Sequence, residues 1–119
     1  MTSPSLARLE IQAELIAEAL VSASVGFLVW DEHRRYIAAN RAACEILGTT
    51  LEELLGHSVG EHTVEGVEAI ESALSTGFAQ GRALVDRFDG TGRVEVFYAT
   101  FTTKTAGMPF MATILAPVR

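Results

Sequence analysis

The chain has 119 residues, 49% hydrophobic and 20% charged, which supplies a core for one compact domain and leaves no length for two. Its formal net charge is -6, with no basic patch or stripe, so neither nucleic acid nor an anionic membrane surface is an expected partner. A single cysteine, Cys44, rules out an intramolecular disulfide; with no apolar stretch suited to a signal-peptide core or a membrane span, a reducing, cytoplasmic location is expected.

In chain order, Ser3 is placed to cap a helix with Pro4 at its first position, where the missing N–H costs nothing. Leu6, Leu9, Ala13, Ile16 and Leu20 then recur at alternating steps of three and four residues, an a/d stripe. Ile11 and Leu15 lie off that stripe, so the helix has two things to cover, its own domain and a partner; the alternative is that it packs on its own sheet alone. Residues 1–24 are read as this amphipathic dimerisation or capping helix, and residues 25–119 as the core domain.

Phe27-Leu28-Val29-Trp30 and Tyr36-Ile37-Ala38 read as two short strands across the polar stretch Asp31 to Arg35. Asn40 to Leu47 follows as a short helix closed by Gly48. Thr50-Leu51-Glu52-Glu53 is a capping box that opens a second, Leu51 to Leu55. A third helix is predicted from Val64 to Ser75, capped by Thr63 and ended by Gly77, with Val67, Ile70 and Leu74 on one face and Phe78 continuing it. The rest is strand: Ala83 to Phe88, a tight turn at Asp89-Gly90-Thr91-Gly92, Arg93 to Thr103, a turn at Ala106-Gly107, and Met108 to Val118 with Pro109 near its start. The order predicts an α+β fold, a five-stranded, mostly antiparallel sheet with short helices on one face. Along Arg93 to Thr103, Val94, Val96 and Tyr98 point one way and Phe97, Ala99 and Phe101 the other. A sheet with one wet face alternates apolar and polar residues, so the second face needs a cover, and the N-terminal helix is the expected one.

The run Gly26-Phe27-Leu28-Val29-Trp30-Asp31, then Tyr36-Ile37-Ala38-Ala39-Asn40-Arg41-Ala42-Ala43, then Glu45-Ile46-Leu47-Gly48 and Thr50-Leu51-Glu52-Glu53-Leu54-Leu55-Gly56, resembles the PAS (Per-Arnt-Sim) family. The match covers about Val25 to Val118 and is most specific from Asp31 to Gly56. The resemblance implies a PAS fold and a regulatory sensor in signal transduction, of the kind found in two-component or transcription regulation. It also implies a homodimer, an effector domain or signalling protein as partner, and ligand binding in the core. The pocket walls would be Leu28, Trp30, Ile37, Val67, Ile70, Leu74, Val96 and Tyr98; the dimer interface would take Leu6, Leu9, Ala13, Ile16, Leu20, Phe97 and Phe101. The alternative for the same pocket residues is an ordinary filled core. Many members end their last strand in an Asp-Ile-Thr type motif that passes the signal on; Ala116-Pro117-Val118-Arg119 stands there instead, which points away from output through that end.

Cofactor chemistry is tested residue by residue against the family pattern. The flavin-binding LOV type carries a reactive Cys after the second short helix, where this chain reads Gly56-His57-Ser58-Val59-Gly60-Glu61-His62, so LOV-type flavin is not expected; Cys44 reads as a small packed residue. A haem-binding member takes its axial His from the long helix, and Val64 to Ser75 has none, so haem is not expected either. His57, Glu61, His62, Glu65 and Glu68 carry donor atoms but no organising signature, and read as a solvated acidic helix face rather than a metal site. No catalytic motif occurs and no enzyme is expected. The alternative reading, a small α+β enzyme or small-molecule carrier using the same pocket, would rest on Asp31 as a base.

Overall fold

A computed structural model of the chain describes residues 8–105 and 107–118. Its first helix, α1 (Leu9–Ser22), starts after Arg8 with no side-chain cap. Ser3, Pro4 and Leu6 lie outside the described residues. Strands β1 (Gly26–Asp31) and β2 (Tyr36–Ala39) pair antiparallel. Between α1 and β1, and into the next helix, Asn40 acts as a rivet. Its Oδ1 accepts from the backbone N–H of Ala43 at 3.0 Å and of Phe27 at 2.9 Å, while its Nδ2 donates to the carbonyl of Leu20 at 2.7 Å and of Val25 at 3.1 Å. It thereby caps α2 (Arg41–Leu47) and fixes the end of α1 against it. Thr50 Oγ1 accepts from the Glu53 N–H at 3.2 Å and caps α3 (Leu51–Leu54).

The third helix departs from the sequence reading. Thr63 is not a cap: residues Thr63–Glu65 form a short strand, β3, and Gly66 then turns the chain at φ +103° before α4 (Glu68–Thr76) begins. Phe78 does not extend the helix stripe either, because Gly77 closes α4 and the chain enters β4 (Phe78–Asp86) at once. With β5 (Arg93–Thr105) and β6 (Met108–Pro117), the sheet has six strands rather than five, all antiparallel, in the order β2-β1-β6-β5-β4-β3. The added strand pairs with β4, so its partner lies about twenty residues away in sequence and no local pattern announces it.

One face of this sheet holds the core. Leu28, Trp30, Val85, Val96, Met111 and Leu115 are buried there, covered by Ala43 and Leu47 of α2, Leu54 of α3, and Ile70 and Ala73 of α4. The other face carries Phe78, Phe97, Phe101 and Ile114, all more than a third exposed. The expectation that α1 covers this second face within the chain is not met. α1 packs mainly on α2, and its Leu9 and Ile16 are 83% and 60% exposed. The rivet at Asn40 holds it to the helical side of the domain. Among the described residues no helix is long and apolar enough to cross a membrane.

Candidate functional site

Strand periodicity sends Val96, Tyr98 and Thr100 of β5 inward together with Leu28 and Trp30 of β1 and Thr113 and Leu115 of β6, since these residues are paired in register. Between them and Ala69, Ile70 and Ala73 of α4 lies a cavity of about 80 Å³, with Tyr36 and His62 also in its wall. A water needs about 10–15 Å³ of such space, so the cavity has room for several waters or one small molecule. Five of the eight residues read from the sequence as pocket walls stand around it: Leu28, Trp30, Ile70, Val96 and Tyr98. Ile37, Val67 and Leu74 do not, being 39%, 40% and 37% exposed. Val67 precedes the helix instead of belonging to it, and α4 turns its small residues Ala69 and Ala73 to the sheet, which rotates Leu74 away. Ile37 follows the buried Tyr36 on β2, so alternation sends it outward.

The apolar wall is crossed by a buried polar line that sequence reading missed. Trp30 Nε1 donates to Thr113 Oγ1 at 2.9 Å, and Thr113 Oγ1 lies 2.8 Å from Thr100 Oγ1. Two hydroxyls own two protons, and one bond between them uses only one. Among the described residues the second proton has no acceptor, so the line ends in a spare O–H donor on the cavity wall. Burial pushes the phenols of Tyr36 and Tyr98 up from their ordinary value, with Glu61 and Glu68 respectively adding to the effect. Both tyrosines are therefore neutral.

Next to the cavity, the turn after α3 gathers three donor side chains. His57 N–H binds the Leu54 carbonyl at 2.9 Å, and the His57 carbonyl accepts from Tyr36 N–H at 3.2 Å. Glu61 Oε1 accepts from the Ser58 N–H at 3.2 Å, while its Oε2 meets His57 Nδ1 at 2.5 Å. The hydrogen bond from His57, with that of the Ser58 N–H, holds the Glu61 carboxyl below its ordinary range. Gly60 makes the turn possible at φ +93°, where a Cβ would stand 2.6 Å from Ile70 Cδ1. His62 stacks on Phe88 at 3.8 Å between ring centroids, and its carbonyl accepts from Asp86 N–H at 2.8 Å. One donor atom each from His57, Glu61 and His62 lie within 4.8 Å of one another. This corrects the reading of these residues as one solvated helix face with Glu65 and Glu68: Glu65 is on β3 and Glu68 opens α4, so the helix holds neither histidine.

The remaining singled-out residues fall elsewhere. Leu9, Ala13, Ile16, Phe97 and Phe101 are exposed and Leu20 is half-buried, all outside the cavity wall. Asp31 ties the β1–β2 turn: Oδ1 accepts from the N–H of His33 and of Arg35, each at 2.9 Å, and Oδ2 from Arg35 Nε at 3.1 Å. Cys44 is buried on α2, and burial pushes its thiol up, so it is held as the thiol and not the reactive thiolate.

Comparison with known proteins gives a consistent picture. The family described as the PAS fold matches residues 20–107. Among solved structures, the PAS domain of an HTR-like protein from Haloarcula marismortui is similar at a TM-score of 0.76 and 21% identity, over 93% of this chain and 95% of that one. A domain of a sensory box sensor histidine kinase/response regulator from Geobacter sulfurreducens gives 0.72 and 17%, over 92% and 97%. The PAS domain of nitrogen regulation protein NR(II) from Vibrio parahaemolyticus gives 0.74 and 12%, over 87% and 98%. The search of curated proteins returned no match.

Proposed function

The chain belongs to the PAS fold family, and from that premise we propose that it is a cytoplasmic sensory module that dimerises, takes a small molecule into its cavity and regulates an effector domain or partner protein. One observation carries this reading: β5 alternates between the cavity wall, with Val96, Tyr98 and Thr100, and a partly exposed apolar outer face, with Phe97 and Phe101. A ligand on one side and a partner on the other would share a single strand.

The occupant proposed for the outer face is a second copy of the chain. The α1 helix of 14 residues is about 21 Å long, and β1, β6, β5 and β4 together span about 14 Å, so a partner's α1 is long enough to cross the exposed aromatics. The ligand class follows from the spare hydroxyl: a compact molecule with an acceptor oxygen, such as a carbonyl or carboxylate, set among apolar walls. It would transmit a signal only through unequal affinity for two packings of the outer face. Asp31, on which an enzyme reading would rest, has both carboxylate oxygens engaged in its turn and does not line the cavity, so no catalytic role is assigned to it. A fold neighbour, the domain of a sensory box sensor histidine kinase/response regulator, fits the same reading.

Native mass spectrometry of the full chain and of Phe97→Glu tests the proposal. The expected result is a dimer, carrying a bound mass when isolated with its ligand, and a folded monomer for Phe97→Glu. A wild-type chain that stays monomeric at tens of micromolar would overturn the dimer, and a Phe97→Glu chain that still dimerises would overturn the interface.

A further inference from the structure

We propose that His57, Glu61 and His62 form a binding site for a divalent transition-metal ion, for which zinc is the matched probe. The donor set, two imidazoles and one carboxylate, is one that zinc takes with a fourth position left open. Tetrahedral zinc at its usual bond lengths holds donors about 3.3 Å apart. The three donors already lie within 4.8 Å of one another, close to that spacing.

Each ligand is positioned by something other than the metal. His57 is fixed by its backbone bonds to Leu54 and Tyr36, Glu61 by the Ser58 N–H on one oxygen, and His62 by stacking on Phe88 and by its carbonyl bond from Asp86. A second, independent observation points to a ligand. His62 Nδ1 is buried with no hydrogen-bond partner among the described residues. Such a group costs free energy unless something pairs with it, and the large majority of buried side-chain polar atoms in native proteins are paired. An ordinary surface pair of His57 and Glu61 would explain their 2.5 Å contact but leaves the buried His62 Nδ1 without a partner. The ion would bring charge +2 to a site that supplies one carboxylate, within a chain of net charge -6 that favours cations at long range. Because His62 also stands in the cavity wall, metal binding would stiffen one side of the cavity.

The test is zinc titration of the untagged full chain in competition with a chromophoric chelator, with Co²⁺ absorption as a second readout. The expected result is one ion per chain and a Co²⁺ spectrum without a thiolate band. Glu61→Gln and His62→Gln should each weaken zinc binding at least about tenfold, the loss that even a residue behind the ligands commonly brings. His33→Gln, on the exposed turn beside Glu32, should leave it unchanged. Glu61→Gln keeps an acceptor for the Ser58 N–H, so its fold should survive should His62→Gln lower the thermal midpoint. Sub-stoichiometric binding, affinity untouched by Glu61→Gln, or a thiolate band abolished by Cys44→Ala would overturn the site.

Discussion

The two sides of β5 have nearly the same apolar character and opposite fates. Val96 is 4% exposed and its neighbour Phe97 46%; Thr100 is 5% exposed and Phe101 37%. What separates them is coverage. The short helices α2, α3 and α4 lie over the inner side, while Phe78, Phe97, Phe101 and Ile114 stay 37–50% exposed, with only the Arg82 guanidinium set over the Phe97 ring at 4.8 Å among the described residues. Hydrophobicity states that a surface requires a cover. Only topology states which element provides it, and here the element expected to do so, α1, is tied to the start of α2 by the Asn40 hydrogen bond to the Leu20 carbonyl. Inner-side substitutions should therefore act on folding, and outer-side ones should leave folding little changed.

The largest effect should come from Trp30, which is 2% exposed at the base of the cavity. Trp30→Ala removes a fully buried aromatic, and the expected cost is about 3–5 kcal/mol in denaturant unfolding. Phe97→Ala, at the same scale of side chain on the outer face, should change the stability of the single chain by less than about 1 kcal/mol. Equal costs for the two would break the contrast between the faces. A smaller effect is expected at Thr113, whose hydroxyl joins Trp30 and Thr100. Thr113→Val keeps the shape and strands the Trp30 N–H without an acceptor, so about 1–3 kcal/mol should be lost. A neutral Thr113→Val would mean that the indole finds a different partner inside the cavity, and the polar line would not be structural.

What could be read in advance divides along similar lines. The caps were legible because they are local and chemical: Asn40, Thr50 and Gly48 delimit α2 and α3 as their residue types require. β1, β2, β5 and β6 followed from composition and turns. β3 was not legible, because three residues make no pattern and Val64 continues an apolar helical spacing. The phase of α4 was misjudged for a related reason. Large residues Val67 and Leu74 outweigh Ala69 and Ala73 on any hydrophobic stripe, yet the helix turns its alanines to the sheet. Thr100 and Thr113 left a usable signal: the turn predicted from Ala106-Gly107 would pair positions whose numbers sum to 213, and Thr100 does lie opposite Thr113. The three-residue donor cluster left only its closeness in sequence, since its convergence depends on a turn that Gly60 permits and on Phe88 arriving from beyond β4.

The smallest effect concerns the two kinds of polar contact that hold the strands in place. Inside, Trp30, Thr113 and Thr100 are neutral, so their contribution should not change with pH. At the edge, burial by itself pushes the Asp31 carboxyl up, but the N–H groups of Arg35 and His33, aided by the Arg35 guanidinium, outweigh it and hold the group below its ordinary value. A carboxyl depressed in the folded state stabilises it above the unfolded pKa, about 3.9, and that contribution disappears as pH falls through the lower folded value. Asp31→Asn should therefore melt below the wild type near pH 7, and the gap should narrow from about pH 4 downward. Thr113→Val should show a gap of constant size over the same range. A gap for Asp31→Asn that stays fixed into acid would mean that its hydrogen bonds, which asparagine partly retains, and not its charge, hold the β1–β2 turn.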